Sequence, residues 1–209
     1  MIGRGHNLLL NSYQYSTTNP LYLQNGQYIQ SSSISFISNR DMLVDQTNNK
    51  YAEKIEFSNN GTNFATVIGY NPAVCVPNSI DKTNYLISSM LNNNYKGYYL
   101  FNMFPDVTPQ KIRKSNSVFP NYIDEVLNFL ITDSNICMDD IFIFWGSSVY
   151  VSVSVENKLI KLHSLNRNLY TIGTTVTSHQ HPGRNVSLQT IAFHNANLSS
   201  IVPNFRYLK

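Results

Sequence analysis

From Phe64 onward the chain repeats one order: a short apolar run, a polar turn, then a segment whose apolar residues recur at helical spacing. This is the pattern of a parallel-sheet α/β domain, whose strands are covered by helices on both faces and so lose the in-out alternation of half-exposed strands. Phe64-Ala65-Thr66-Val67-Ile68 predicts the first buried strand, and Gly69 to Ser79 the loop at its C-terminal end. Ser79 is placed to cap a helix from Ile80 to about Asn92, with Ile80, Tyr85, Leu86 and Met90 on its apolar face. Gly97 to Phe101 predicts a second strand that ends at Asn102, before a turn-rich stretch from Pro105 to Pro120 and a helix from about Tyr122 to Ile131. The almost wholly apolar run from Asp140 to Gly146 predicts a central strand. Val149, Val151, Val153 and Val155 alternate as a strand would, whereas a right-handed crossover to another parallel strand calls for a helix, and helix is the reading adopted. Leu169 to Gly173 supplies a last strand, and Ser178 to Asn185 the loop after it.

The first sixty residues have a different texture. Short apolar patches alternate with Asn, Gln, Ser and Gly, as in the run from Ile29 to Ile37, which favours short strands or loops over a helix. The expected organisation is therefore an irregular or β-rich N-terminal extension over residues 1–62, packed on an α/β domain over residues 63–209. No internal repeat is visible.

The length of 209 residues fits one domain, and 42% apolar with 12% aromatic residues describes a globular chain. Only 13% of residues are charged, and much of the polarity comes from 28 Asn, so any single Asn in a motif has to be discounted for its abundance. Leu8-Leu9-Leu10 is too short for a signal sequence, and there is no run of about 18 apolar residues. The expectation is a cytoplasmic chain that does not contact a membrane, with Cys75 and Cys137 as reduced thiols. The net charge of +3 is unevenly distributed. Val151 to the end carries one acid, Glu156, against Lys158, Lys161, Arg167, Arg184, Arg206 and Lys209. A basic C-terminal third suits a phosphate backbone, although a face charged only for solubility has the same composition.

Open α/β sheets bind ligands beyond the carboxyl ends of their strands, which singles out Gly69 to Ala73, Asn102 to Pro105, Gly146 to Ser148 and Ser178 to Arg184. These stretches hold amides, imidazoles and one cation. The Asn71 side-chain carbonyl can orient a water, and His181 can donate to an oxygen on which negative charge develops. Asn102 offers both a donor and an acceptor to the polar edge of a planar ligand, and Phe101, Phe104 or Tyr70 a stacking face, while Arg184 can hold a phosphate. Structural alternatives stand beside each: Asn71 before Pro72 is a common turn initiator, Asn102 can satisfy loop amides, His181 can cap a loop, and Asp81 and Thr83 suit the first turn of a helix. His179 and His181 lack a nearby third metal ligand, and there is no phosphate-binding Gly-rich loop, so neither a metal nor a cofactor is expected.

Gly69-Tyr70-Asn71-Pro72 resembles the first motif of the uracil-DNA glycosylase superfamily, in the mismatch-specific branch that has Asn before the proline. Tyr99-Leu100-Phe101-Asn102 is similar to its strand ending in a base-recognising Asn, Ile143-Phe144-Trp145-Gly146-Ser147 to its Trp-Gly strand, and His179-Gln180-His181-Pro182 to its His-Pro-Ser motif. From about Phe64 to Arg184 the chain resembles more closely the bacterial and phage family called domain of unknown function 1643, through Asn71-Pro72, Asp81 with Thr83, Asn102-Met103-Phe104, Trp145-Gly146 and His181-Pro182. The chain departs from the glycosylase pattern at Ala73-Val74, where that superfamily has Tyr-His, and at His181-Pro182-Gly183, where it has His-Pro-Ser.

The resemblance implies a three-layer sandwich around a mostly parallel sheet, acting without a cofactor on DNA, single-stranded or damaged. Asn71 and His181 would be catalytic, and Gly69, Tyr70, Pro72, Ala73, Phe101, Asn102, Phe104, Ser178 and Arg184 would bind substrate. The function implied is hydrolysis of the N-glycosidic bond of a modified or mismatched base. A non-catalytic nucleic-acid binding module, or a small-molecule or nucleotide hydrolase on the same fold, are the alternatives.

Overall fold

A computed structural model describes residues 22–26, 37–44, 47–73, 80–108, 121–132, 140–144, 150–151, 153–165, 168–173, 192–195 and 206–207. The segments that build the sheet are β1 (Tyr22–Gly26), β2 (Ile37–Val44), β3 (Lys50–Phe57), β4 (Phe64–Gly69), β5 (Gly97–Asn102), β6 (Asp140–Ile143), β8 (Asn168–Gly173) and β9 (Ala192–Asn195). Among the described residues three helices lie between them in sequence: α1 (Lys82–Leu91), α2 (Asn121–Thr132) and α3 (Val153–Ser164). A two-residue strand, β7 (Tyr150–Val151), pairs in parallel with β10 (Arg206–Tyr207) outside the main sheet.

The strands follow the order β1-β2-β3-β5-β4-β6-β8-β9. At the centre β5, β4, β6 and β8 run parallel, while β1, β2 and β3 on one side and β9 on the other are antiparallel to their neighbours. All six residues of β4, and all six of β5, are buried, which explains why both segments are near-continuous apolar runs in the sequence. The architecture is a mixed-sheet α/β fold.

Alternate residues of the strands enter two separate apolar clusters. Ile68, Phe101, Ile141 and Ile143 meet Ile123, Val126, Leu127 and Leu130 of α2 together with Val155, Leu159 and Leu162 of α3. Val67, Leu100 and Phe142 instead meet Ile87 and Leu91 of α1. Because side chains alternate across a strand, α1 covers one face of the sheet and α2 with α3 the other. The α2 positions fall at i, i+3, i+4 and i+7, the stripe that a 3.6-residue period lays against a flat sheet. Asp124 ties α2 to α3 by accepting from Lys158 Nζ at 2.8 Å and Ser154 Oγ at 2.9 Å.

Several expected boundaries shift. Asp81 caps α1, its Oδ1 accepting from the Asn84 backbone N–H at 2.7 Å, so the helix starts at Lys82 and not at Ile80. A carboxylate two residues further on than Ser79 reaches that orphan donor and balances the positive end of the helix. The ambiguous valines divide: Tyr150 and Val151 form a strand, whereas Val153 begins α3 on its solvent side and Val155 faces the core. β6 ends at Ile143, and Phe144, buried beside it, still donates its backbone N–H to the Ile68 carbonyl at 2.9 Å. Of the run from Ile29 to Ile37, only Ile37 lies within the described residues, as the first residue of β2.

The expected boundary at residues 62–63 falls between β3 and β4, two strands of the same sheet. Through β3 the first part of the chain is hydrogen-bonded to the parallel centre, with Ala52 opposite Phe101 and Glu53 opposite Leu100. Among the described residues no helix is long and apolar enough to cross a membrane.

Candidate functional site

The chain leaves β4 to one side, through α1 to β5, and then returns past β4 to β6 and β8 on the other. The direction of winding therefore reverses between β4 and β6. At such a switch point the connections leaving neighbouring strands diverge to opposite faces and open a crevice at the carboxyl ends. Gly69 closes β4, and Tyr70, Asn71, Pro72 and Ala73 follow it at that point.

The two strand ends β4 and β5 continue side by side beyond the sheet. Met103 donates its N–H to the Gly69 carbonyl at 3.1 Å, Phe104 to Tyr70 at 2.8 Å, and Thr108 to Pro72 at 2.9 Å. In return Asn71 Nδ2 donates to the Thr108 carbonyl at 2.8 Å. That bond fixes the rotation of the Asn71 carboxamide, whose residue is half-buried, while Ala73, Asp106 and Val107 are exposed around it. A backbone acceptor thereby orients a side chain just beyond the carboxyl end of β4.

Beneath this surface lies an aromatic floor. Tyr70 and Phe104 pack edge to face, with ring centroids 5.1 Å apart, and both are buried. Phe101 lies in the apolar cluster shared with α2 and α3. The structure thus puts all three candidate stacking residues in the interior. Asn102 is also buried, and its Nδ2 donates to the Lys50 backbone carbonyl at 3.0 Å. Gly69, Tyr70, Asn71, Pro72, Ala73, Asn102 and Phe104 are brought together at one end of the sheet. Ser178, His181 and Arg184, with His179, Trp145, Cys75 and Cys137, lie outside the described residues. Of the basic residues expected to meet phosphate, Lys158 is paired with Asp124, Lys161 is exposed, and Arg167 lies outside the described residues.

Gly69 stands where there is little room for a side chain. A Cβ there would lie 3.0 Å from Leu100 Cδ1 and 3.1 Å from Asn102 Oδ1, on the same face as the Asn102 carboxamide. Gly69→Ala is expected to cost about 1–3 kcal/mol of stability by overpacking, read from denaturation midpoints. A neutral substitution would mean that Asn102 is not held as described.

Beside Asn102 the fold buries a group of charges that sequence reasoning missed. Arg40, Lys50, Glu53 and Asn84 are each at most 1% exposed. Glu53 accepts from Arg40 Nε, from Lys50 Nζ at 2.7 Å and from Asn84 Nδ2 at 2.8 Å. Burial raises the Glu53 pKa, but Lys50 and Arg40 outweigh it, and the net effect holds the carboxyl below the ordinary glutamate value. One signal was available: Glu53 shares its parity with Ile55 and Phe57, while Lys54 and Glu56 take the other face. A period of two places Glu53 toward the core.

A mixed-sheet α/β fold with hydrogen-bonded strand ends at its switch point defines the class. The chain belongs to the family described as "Protein of unknown function (DUF1643)", which matches residues 51–183. That span runs from β3 past β8 and contains Glu53, Asn71, Asn84 and Asn102. No curated protein matches. Among solved structures, acetyl xylan esterase 1 from Thermoanaerobacterium sp. JW/SL YS485 is similar at 12% identity and a TM-score of 0.31, over 79% of this chain and 54% of that one. The chain spans about half the length of that esterase, and so slight a likeness carries no argument about activity.

Proposed function

We propose that the crevice at the end of β4 receives an extruded nucleobase and that the protein hydrolyses its N-glycosidic bond, on a glycosylase-like three-layer sandwich. The observation that carries this reading is the position of Asn71: it stands at the switch point with its carboxamide oriented by the Thr108 carbonyl. Breaking a glycosidic bond develops positive charge on the sugar and negative charge on the leaving base. A fixed amide oxygen is suited to hold the attacking water on the sugar side without itself being charged.

β8, after which the sequence places the loop from Ser178 to Asn185, ends at the same end of the sheet as β4, because β8 runs parallel to β6 and β6 to β4. In this proposal that loop supplies His181, to stabilise the departing base, and Arg184, to hold a flanking phosphate. Asn102, with its donor on the Lys50 carbonyl, is given the part of a floor and not of a reader. The buried Tyr70 and Phe104 rings support the same floor.

The test is a panel of single- and double-stranded oligonucleotides, each with one modified or mismatched base, incubated with the protein and scored for alkali-labile breaks. Breaks at one class of base are the expected result. Salt-sensitive binding with no break anywhere would turn the proposal into a non-catalytic binding module. Neither breaks nor binding would overturn it.

A further inference from the structure

We infer that Glu53 is a positioning residue for the site at the end of β4, acting through Lys50 on the segment that orients Asn71; this rests on the function proposed above. Glu53 gathers three donors from three elements: Arg40 of β2, Lys50 at the start of β3, and Asn84 of α1. Lys50 in turn grips the end of β5 by its backbone. Its N–H donates to the Pro105 carbonyl at 2.8 Å, and its carbonyl accepts from Asn102 Nδ2 at 3.0 Å. Residues 103–108 then bond to 69–72, and the Thr108 carbonyl orients Asn71. A continuous set of hydrogen bonds therefore runs from the buried carboxylate to Asn71.

The choice of polar groups supports positioning over stability. A buried ion cluster is commonly no more stable than well-packed apolar residues of the same volume, but it accepts far fewer geometries. Lys50 also sits where the β2–β3 register shifts, between Leu43 opposite Ala52 and Val44 opposite Lys50, so the ladder alone does not fix it. Asn84 turns its Nδ2 to Glu53, and its own buried Oδ1 has no hydrogen-bond partner among the described residues. Leaving an acceptor unsatisfied is costly, and here it accompanies a third donor on the same carboxylate.

Lys50→Met is the variant of choice, because it cuts the tether to Glu53, keeps both backbone bonds of position 50 and leaves Arg40 paired with Glu53. Amide hydrogen exchange should be about tenfold faster at position 50, Met103, Phe104 and Thr108, beyond any change in global stability. Asn84→Ala, which removes another donor from Glu53, should loosen the same amides by a smaller factor. Leu162→Ala, under α3 on the opposite face, should change them only in step with global unfolding. In turnover, Lys50→Met should lower kcat about tenfold and leave KM unchanged, as expected when a group acting in the transition state is misplaced. Exchange at these four amides that merely follows global stability in Lys50→Met and Asn84→Ala would overturn the inference. A wild-type protein without turnover would sink the proposed function, while the exchange data would still decide whether Glu53 positions the strand ends.

Discussion

Glu53→Gln is expected to lower the unfolding free energy by about 3–5 kcal/mol, because it removes the carboxylate charge that Arg40 and Lys50 share in the buried group. The substitution preserves shape, so the loss reports charge and not a cavity. Half of the new amide is also a donor facing donors. Lys50→Met in the same chain removes one of the cations left with it and should recover part of the loss, which a double-mutant cycle in urea would measure. The same carboxylate sets a pH dependence. Its folded pKa lies below the reference value of 4.5, so its contribution is fully present above about that pH and is lost as pH falls through the folded value. Urea midpoints should therefore fall with acidification less steeply in Glu53→Gln than in the wild type. A loss below about 1 kcal/mol would show that water or relaxation, and not the ion cluster, satisfies this part of the core.

Elements whose burial is decided by their own sequence were legible. β4 and β5 are nearly continuous apolar runs because both their faces are covered, and α2 shows its stripe without interruption. The segment from Val149 to Val155 was ambiguous for a physical reason. A period-two alternation persists across the junction of β7 and α3, and only Val155, Leu159 and Leu162, taken together, show the helical repeat. The cap of α1 was misplaced because Ser79 and Asp81 are both acceptable capping residues, and only the backbone geometry chooses between them.

The site was legible only where it is local. Asn71 follows an apolar run and precedes a proline, so its place at a strand end could be expected from its neighbours. Whether Asn102 faces solvent or the interior depends on β3, whose antiparallel pairing with β5 brings Lys50 to it from 52 residues away. The N-terminal segment reads as an extension because its short apolar patches alternate with Asn, Gln, Ser and Gly, and Arg40, Lys50 and Glu53 stand among them without any sign in the sequence that they are buried. These charges are buried by one another across β2, β3 and α1, and a pattern read along one strand does not show such pairing.

Asn71→Ala is expected to reduce turnover by about a hundredfold or more while costing only about 1 kcal/mol of stability. The two effects separate because they belong to different atoms. The stability term comes from Nδ2, which loses its bond to the Thr108 carbonyl. The catalytic term belongs to Oδ1, the atom proposed to hold the attacking water. Asn71→Asp distinguishes them: it keeps an oxygen able to orient water, and removes the donor that faces Thr108. Its stability should fall at least as far as that of Asn71→Ala, since a carboxylate would then meet a carbonyl oxygen, yet its turnover should exceed that of the alanine variant. Single-turnover cleavage of the best oligonucleotide, alongside thermal unfolding of all three proteins, provides both readouts. Should turnover rank with stability across the three, Asn71 would be a loop fastener and the proposed water would need another host.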